Sequence, residues 1–187
     1  MSDGKNDACE RETKAGWRAL NKLLPKYELG EVEPGWLARR RIEAARTHFE
    51  AALRIEPEGW ESLWGMGKLL RIGGDVPAAF ALLLRAVSGH DRSPALYRDL
   101  TVLALDLDRR DAAEEYARAA VALNTQDADM LASYALVLLF NSQVKRALGV
   151  ATNACKLQPN DSRNWEILQL IRRVDKGEEG PPVSIAL

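Results

Sequence analysis

The chain has 187 residues, 47% of them apolar and 28% charged, with 26 basic residues against 27 acidic ones and a net charge of −1. This is the balance of a soluble globular protein with a substantial core, and it gives no global pull toward nucleic acid or an anionic membrane. No apolar run approaches the roughly 18 residues of a membrane-spanning helix, so no membrane insertion is expected, and the polar start Ser2, Asp3, Gly4, Lys5 has no secretory apolar core.

Residues 1–10 are expected as a disordered tail. A first helix follows, in which Trp17, Leu20, Asn21 and Leu24 set a large, large, small, large spacing. Residues near 25–36, with Gly30, Pro34 and Gly35, interrupt it as an insertion, part of which extends a second helix that runs to Ile55. From there the chain repeats itself. Ala45, Ala79, Ala113 and Ala147 stand 34 residues apart, and Ala52, Ala86, Ala120 and Ala154 keep the same step, as do Leu53, Val87, Val121 and Cys155. Between these blocks lie helices with stripes at Leu63, Met66, Gly67, Leu70, then Tyr97, Leu100, Thr101, Ala104, then Leu131, Tyr134, Ala135, Leu138. Gly73, Gly74 and Asp75 punctuate one pair, with Asp75 as an N-cap; Ser93 followed by Pro94 reads as an N-cap and first helical position. The repeats therefore fall at 60–93, 94–127 and 128–161, after an irregular first repeat at 11–59. Residues 162–175 form a last amphipathic helix, with Trp165, Ile167, Leu168 and Ile171 on one face; residues 176–187 follow as a flexible tail.

The spacing resembles the tetratricopeptide repeat, on Leu63, Met66, Gly67 and Leu70, then Ala79, Leu83 and Ala86, and on Ala45, Phe49, Ala52 and Pro57. The resemblance spans residues 11–175 and implies an all-α, right-handed α-solenoid of about four helix pairs plus a C-terminal capping helix. It also implies that the first helix of each pair lines a concave groove. The stripe beside the core one then places Trp64, Lys68 and Arg71 there, with Arg98 and Val102, Leu136 and Leu139, and Arg18 and Lys22 in the other repeats. Such a groove is basic and aromatic in its N-terminal half and apolar in its C-terminal half, complementing a protein or peptide partner with acidic and apolar parts. Some relatives grip a C-terminal carboxylate with a Lys and Asn clamp; Trp64, Lys68, Asp99 and Ser133 at the equivalent positions lack its asparagines.

Chemistry is sparse. His48 and His90 are separated from Cys9 and Cys155, so no metal site or Cys–His nucleophile is expected, and no phosphate-cradling loop occurs. No catalytic residue and no cofactor are assigned, and the chain is read as no enzyme. Two cysteines are too few for a disulfide framework and suit the cytoplasm. Arg39, Arg40 and Arg41 read as a solvated helix face balanced by Glu43 and Glu50, with an acidic or phosphate partner as the other reading. The leading function is a protein-interaction scaffold or adaptor without nucleic acid. A dedicated chaperone for a secreted or membrane-associated client, which asks for an apolar groove, and a non-catalytic accessory subunit are the alternatives. The apolar end, Val183, Ile185, Ala186 and Leu187, reads as a frayed terminus, with docking on an apolar surface of this chain or of a neighbouring copy, such as that of Leu136 and Leu139, as the other reading.

Overall fold

The computed structural model describes residues 2–23, 35–90 and 92–182. Nine α-helices and no strand occur among the described residues: α1 (Ser2–Leu20), α2 (Trp36–Ile55), α3 (Trp60–Ile72), α4 (Val76–Gly89), α5 (Pro94–Asp106), α6 (Arg110–Leu123), α7 (Ala128–Phe140), α8 (Val144–Leu157) and α9 (Ser162–Asp175). The chain is an all-α solenoid of helix pairs. It divides into two compact units, Met1–Asp91 and Arg92–Leu187.

The turns inside pairs repeat as strictly as the helices. Gly74, Asp108 and Ser142, each 34 residues apart, all take positive φ (84°, 53° and 60°). Each is followed by an amide that reaches back five residues: Asp75 N to Leu70 O at 2.9 Å, Arg109 N to Ala104 O at 2.8 Å and Gln143 N to Leu138 O at 2.8 Å. This left-handed closure satisfies the carbonyls that a helix end otherwise leaves open. Helix starts are capped from the side chain by Asp75 to Ala78 N, Ser93 to Leu96 N, Asp127 to Met130 N and Asp161 to Asn164 N.

In the N-terminal unit α1 packs along α2, α3 along α4, and α3 also meets α1 and α2. Both alanine registers are buried, as Ala45, Ala52, Ala79 and Ala86, so that small side chains let the axes approach. Phe49 is fully buried, and its ring fills the space that Gly16 of α1 and Gly65 of α3 leave open. The polar start departs from expectation. Residues 2–10, expected within a tail, are helical instead, because α1 begins at Ser2. Cys9 is buried, with its thiol 3.7 Å from Ala52 O and 3.6 Å from Glu56 Oε2, and buried Thr13 bonds buried Ser62 at 2.8 Å. His48 Nδ1 meets Glu12 Oε2 at 2.7 Å, a further tie between α1 and α2. The insertion near 25–36 lies outside the described residues except for Gly35 and Trp36, the N-cap and first residue of α2.

In the C-terminal unit α5 pairs with α6 and α7 with α8; α6 also packs on α7, and α9 covers α8 and touches α7. Ala113, Ala120, Ala147, Ala154 and Cys155 are buried, the last as the small core residue its register requires. Ten of the 13 residues of α7 are buried. Glu114 of α6 accepts from Arg146 Nη1 of α8 at 2.7 Å and from Asn141 Nδ2 at 3.1 Å, and Gln143 donates to the same carboxylate. Burial pushes the Glu114 carboxyl up, but the bonds from Asn141, Arg146 and Gln143 outweigh it and hold it below the usual carboxylate range.

Candidate protein-interaction surface

Gly16 and Gly65 do more than admit Phe49. By letting α1 and α3 close on that ring, they bring the neighbouring residues Trp17 and Trp64 into edge contact, with centroids 4.9 Å apart and planes at 66°. One turn earlier on α3, Trp60 stacks on Trp64 at 6.1 Å and 18°. The imidazole of His90, the residue that ends α4, stacks on Trp60 at 4.0 Å and 10°. Four rings from α1, α3 and the end of α4 thus form one half-buried ladder. Lys68 extends the α3 stripe, its ammonium 6.0 Å from the Trp64 ring, and Arg71 follows; both are half-buried. Aromatic faces accept apolar groups and cations, while the lysine and arginine end favours carboxylates.

A second feature lies beside Trp60. A cleft of about 270 Å³ is lined by Cys9, Glu10, Thr13, Glu56, Trp60 and Glu61, among others. Burial, with Glu56 beside it, pushes the Cys9 thiol up, so Cys9 is a poor nucleophile. Cys155 is likewise shifted up by burial. No group of three His, Cys, Asp or Glu residues suited to a metal occurs among the described residues.

The expected groove residues fare unequally. Trp64, Lys68 and Arg71 share one stripe of α3 in the N-terminal unit, and Arg18 and Lys22 are exposed on α1 and the turn after it. In the C-terminal unit Arg98 is exposed and lines a small cleft with Thr101, Met130, Ser133 and Tyr134, and Val102 is half-buried. Leu136 and Leu139 are not groove residues. They are 8% and 0% exposed, because α6, α8 and α9 all pack on α7 and enclose it. The apolar half of the expected groove is core, and so is the surface considered for the tail; residues 183–187 themselves lie outside the described residues. Trp17, Trp60 and His90 were not assigned to the site. The i, i+4 pair Trp60 and Trp64 was the available signal for Trp60, whereas the stacking of His90 depends on where α4 ends.

Residues 37–96 match the tetratricopeptide repeat family. No curated protein matches the chain. Among solved structures, a MamA protein superposes with a TM-score of 0.71 at 20% identity over 92% of this chain and 84% of its own. YrrB, described as a tetratricopeptide-repeat protein with an unusual peptide-binding site, gives 0.68 at 15% identity over 96% and 87%. PilF of Pseudomonas aeruginosa gives 0.70 at 15% identity over 94% and 71%. A segment of the chain, residues 37–96, thus matches the tetratricopeptide repeat family, and the fold is similar to that of helix-pair solenoids of known structure.

Proposed function

We propose that the chain is a protein-interaction scaffold that holds a partner segment against the α1–α3 face of its N-terminal unit. The observation that supports this reading is the row from His90 through Trp60 to Trp64, which Trp17 meets edge-on and which Lys68 and Arg71 extend along α3. Its rings suit an apolar or aromatic side chain and its basic end suits a carboxylate, which describes a partner segment with apolar and acidic parts. The likeness to YrrB, with its peptide-binding site, adds support at the level of fold. The chaperone reading asked for an apolar groove, and buried Leu136 and Leu139 do not offer one.

The test is capture from an extract of the native host on immobilised protein, with quantitative mass spectrometry of what is retained. Trp64→Ala and the double variant Lys68→Glu/Arg71→Glu should both lose the same captured proteins while keeping the helical circular dichroism of the parent. A captured set that is unchanged in both folded variants would sink the assignment.

A further inference from the structure

The repeat pattern breaks at the start of α3. At the 34-residue step, Ser93, Asp127 and Asp161 cap the later helices with their side chains, but α3 begins at Gly59, which makes no side-chain cap bond. Three residues on, the same step sets Leu96 and Met130 where α3 has Ser62. Leu96 is fully buried, so the fold fills this position with an apolar side chain elsewhere. Ser62 is buried too, yet its hydroxyl bonds that of buried Thr13 at 2.8 Å, and buried Cys9 stands one turn before Thr13 on α1. Departures from a repeat's own packing rule are expected where a site is built.

The cleft of about 270 Å³ beside Trp60 opens at this place, with Cys9, Thr13 and Ser62 among its lining residues. A side chain at Gly59 would crowd it, since its Cβ would stand 3.2 Å from Glu56 O and 3.5 Å from Glu56 Oε2. The lining holds Glu10, Glu56 and Glu61 and no cationic residue. Lys14 pairs with Glu10 and acts more weakly on Glu61. Glu56 accepts from the Cys9 thiol at 3.6 Å and, like Glu61, enters no ion pair among the described residues. After burial itself, Glu56 and then Glu61 push the Cys9 thiol up, so the field at the floor of the cleft is negative.

The hydrogen-bonding inventory points the same way. Thr13 and Ser62 spend a hydroxyl hydrogen on each other, and the thiol hydrogen goes to Ala52 O or Glu56 Oε2. What these side chains leave open is chiefly acceptor: hydroxyl lone pairs and carboxylate oxygens. That set complements a group that carries donors only, an ammonium or a guanidinium, and repels carboxylates and phosphates. Trp60 adds an apolar wall on which an aliphatic stem can lie while its charged head reaches the glutamates. The volume falls below the roughly 300–1,000 Å³ of pockets that enclose drug-sized ligands and suits a single side chain.

We propose that this cleft receives a lysine or arginine side chain of a bound polypeptide, held by Glu56 and Glu61 above the Thr13–Ser62 pair with its stem on Trp60. The polypeptide source rests on the scaffold reading above; the preference for a cation does not. A segment that also reaches Lys68 and Arg71, further along α3, carries its basic and acidic parts on opposite sides of its apolar stretch.

Titration of the isotope-labelled full chain, followed by nuclear magnetic resonance, tests it without a partner protein. The probes are Nα-acetyl-lysine methylamide, Nα-acetyl-arginine methylamide and the norleucine counterpart, which keeps the stem and lacks the charge. The amide signals of Thr13, Gly59, Glu61 and Ser62 should move together with a cationic probe at concentrations on the order of 1 mM, and a response to one cation alone names the side chain. The norleucine probe should leave them in place. Glu56→Gln/Glu61→Gln keeps both shapes and removes both charges; it should weaken the titration by about tenfold or more, because charge-assisted bonds supply most of so small a contact. Circular dichroism confirms that the variant is folded. Signals that stay still with both cationic probes overturn the proposal. So do shifts of equal affinity in the folded variant, or equal shifts with norleucine, which would make the cleft an apolar pocket. A failed titration leaves the ladder reading standing, and unchanged capture by Trp64→Ala leaves the cation preference standing.

Discussion

A methyl group added at Gly65 would stand 2.2 Å from Phe49 Cζ, and one added at Gly16 would stand 2.6 Å from Cε1 of the same ring. Neither leaves room for a real carbon, and Phe49 is enclosed on all sides, so the ring cannot step aside without moving a helix. Gly65→Ala should therefore cost about 1–3 kcal/mol of stability, as overpacked core sites do, despite the helix propensity that alanine adds. Denaturant unfolding measures it. The same substitution should part Trp17 from Trp64 and weaken partner capture, which ties the packing of one glycine to the working face. At Gly74, φ of 84° and open space around a would-be Cβ make the constraint conformational instead of steric.

Between elements, Glu114 is the tie that joins α6 to the α7–α8 turn and to α8. Its folded-state pKa lies below the unfolded value, so its contribution to stability is complete above the unfolded pKa. It is lost as pH falls through the depressed folded value. Glu114→Gln should lower the thermal midpoint at pH 7 and matter progressively less below about pH 4, where an ordinary glutamate protonates. Thermal melts of parent and variant across that range check it, and parallel shifts at every pH would refute it.

The paired helices were legible because identical packing jobs recur every 34 residues: alanines at the crossings, a left-handed residue at 74, 108 and 142, and caps such as Ser93. A wider buried face was not read. Leu69, Leu103 and Val137 also keep the 34-residue step and are buried; α3 and α7 are each packed by more than one neighbour and need more than a four-residue stripe. The first half of α1 was missed for the opposite reason. Its one buried side chain among the described residues is Cys9, a lone thiol that sets no apolar period. The candidate site was half legible: the α3 stripe follows from periodicity, but the joining of α1 to α3 rests on two glycines whose partner ring lies on α2.

At the scale of the molecule, α9 covers the last helix pair of the C-terminal unit, packing on α8 and α7. It presents buried Asn164, Ile167, Leu168 and Ile171 toward the repeat and Arg163, Glu166, Arg172 and Arg173 to solvent. Its end is held by Lys145 Nζ to Asp175 Oδ1 at 2.8 Å, an exposed tie that adds little. Truncation after Asp161 should uncover apolar side chains of α7 and α8. The expected outcome is a lower unfolding midpoint together with concentration-dependent association in analytical ultracentrifugation. A truncated chain as stable and as monodisperse as the parent would show that α9 is no cap.

Three of the chain's five tryptophans stand in the ladder, each within about two ring widths of the next. At 4.9 Å and 66°, the strong far-ultraviolet transitions of the Trp17 and Trp64 indoles are placed to couple, and the expected outcome is a signed doublet superposed on the helical circular dichroism. The neighbouring His90 imidazole, stacked on Trp60 at 4.0 Å, is placed to quench emission from that end of the row. A bound segment that slides between the rings or draws His90 away changes both signals at once. The face thus carries its own optical gauge, and occupancy can be followed on the unlabelled protein.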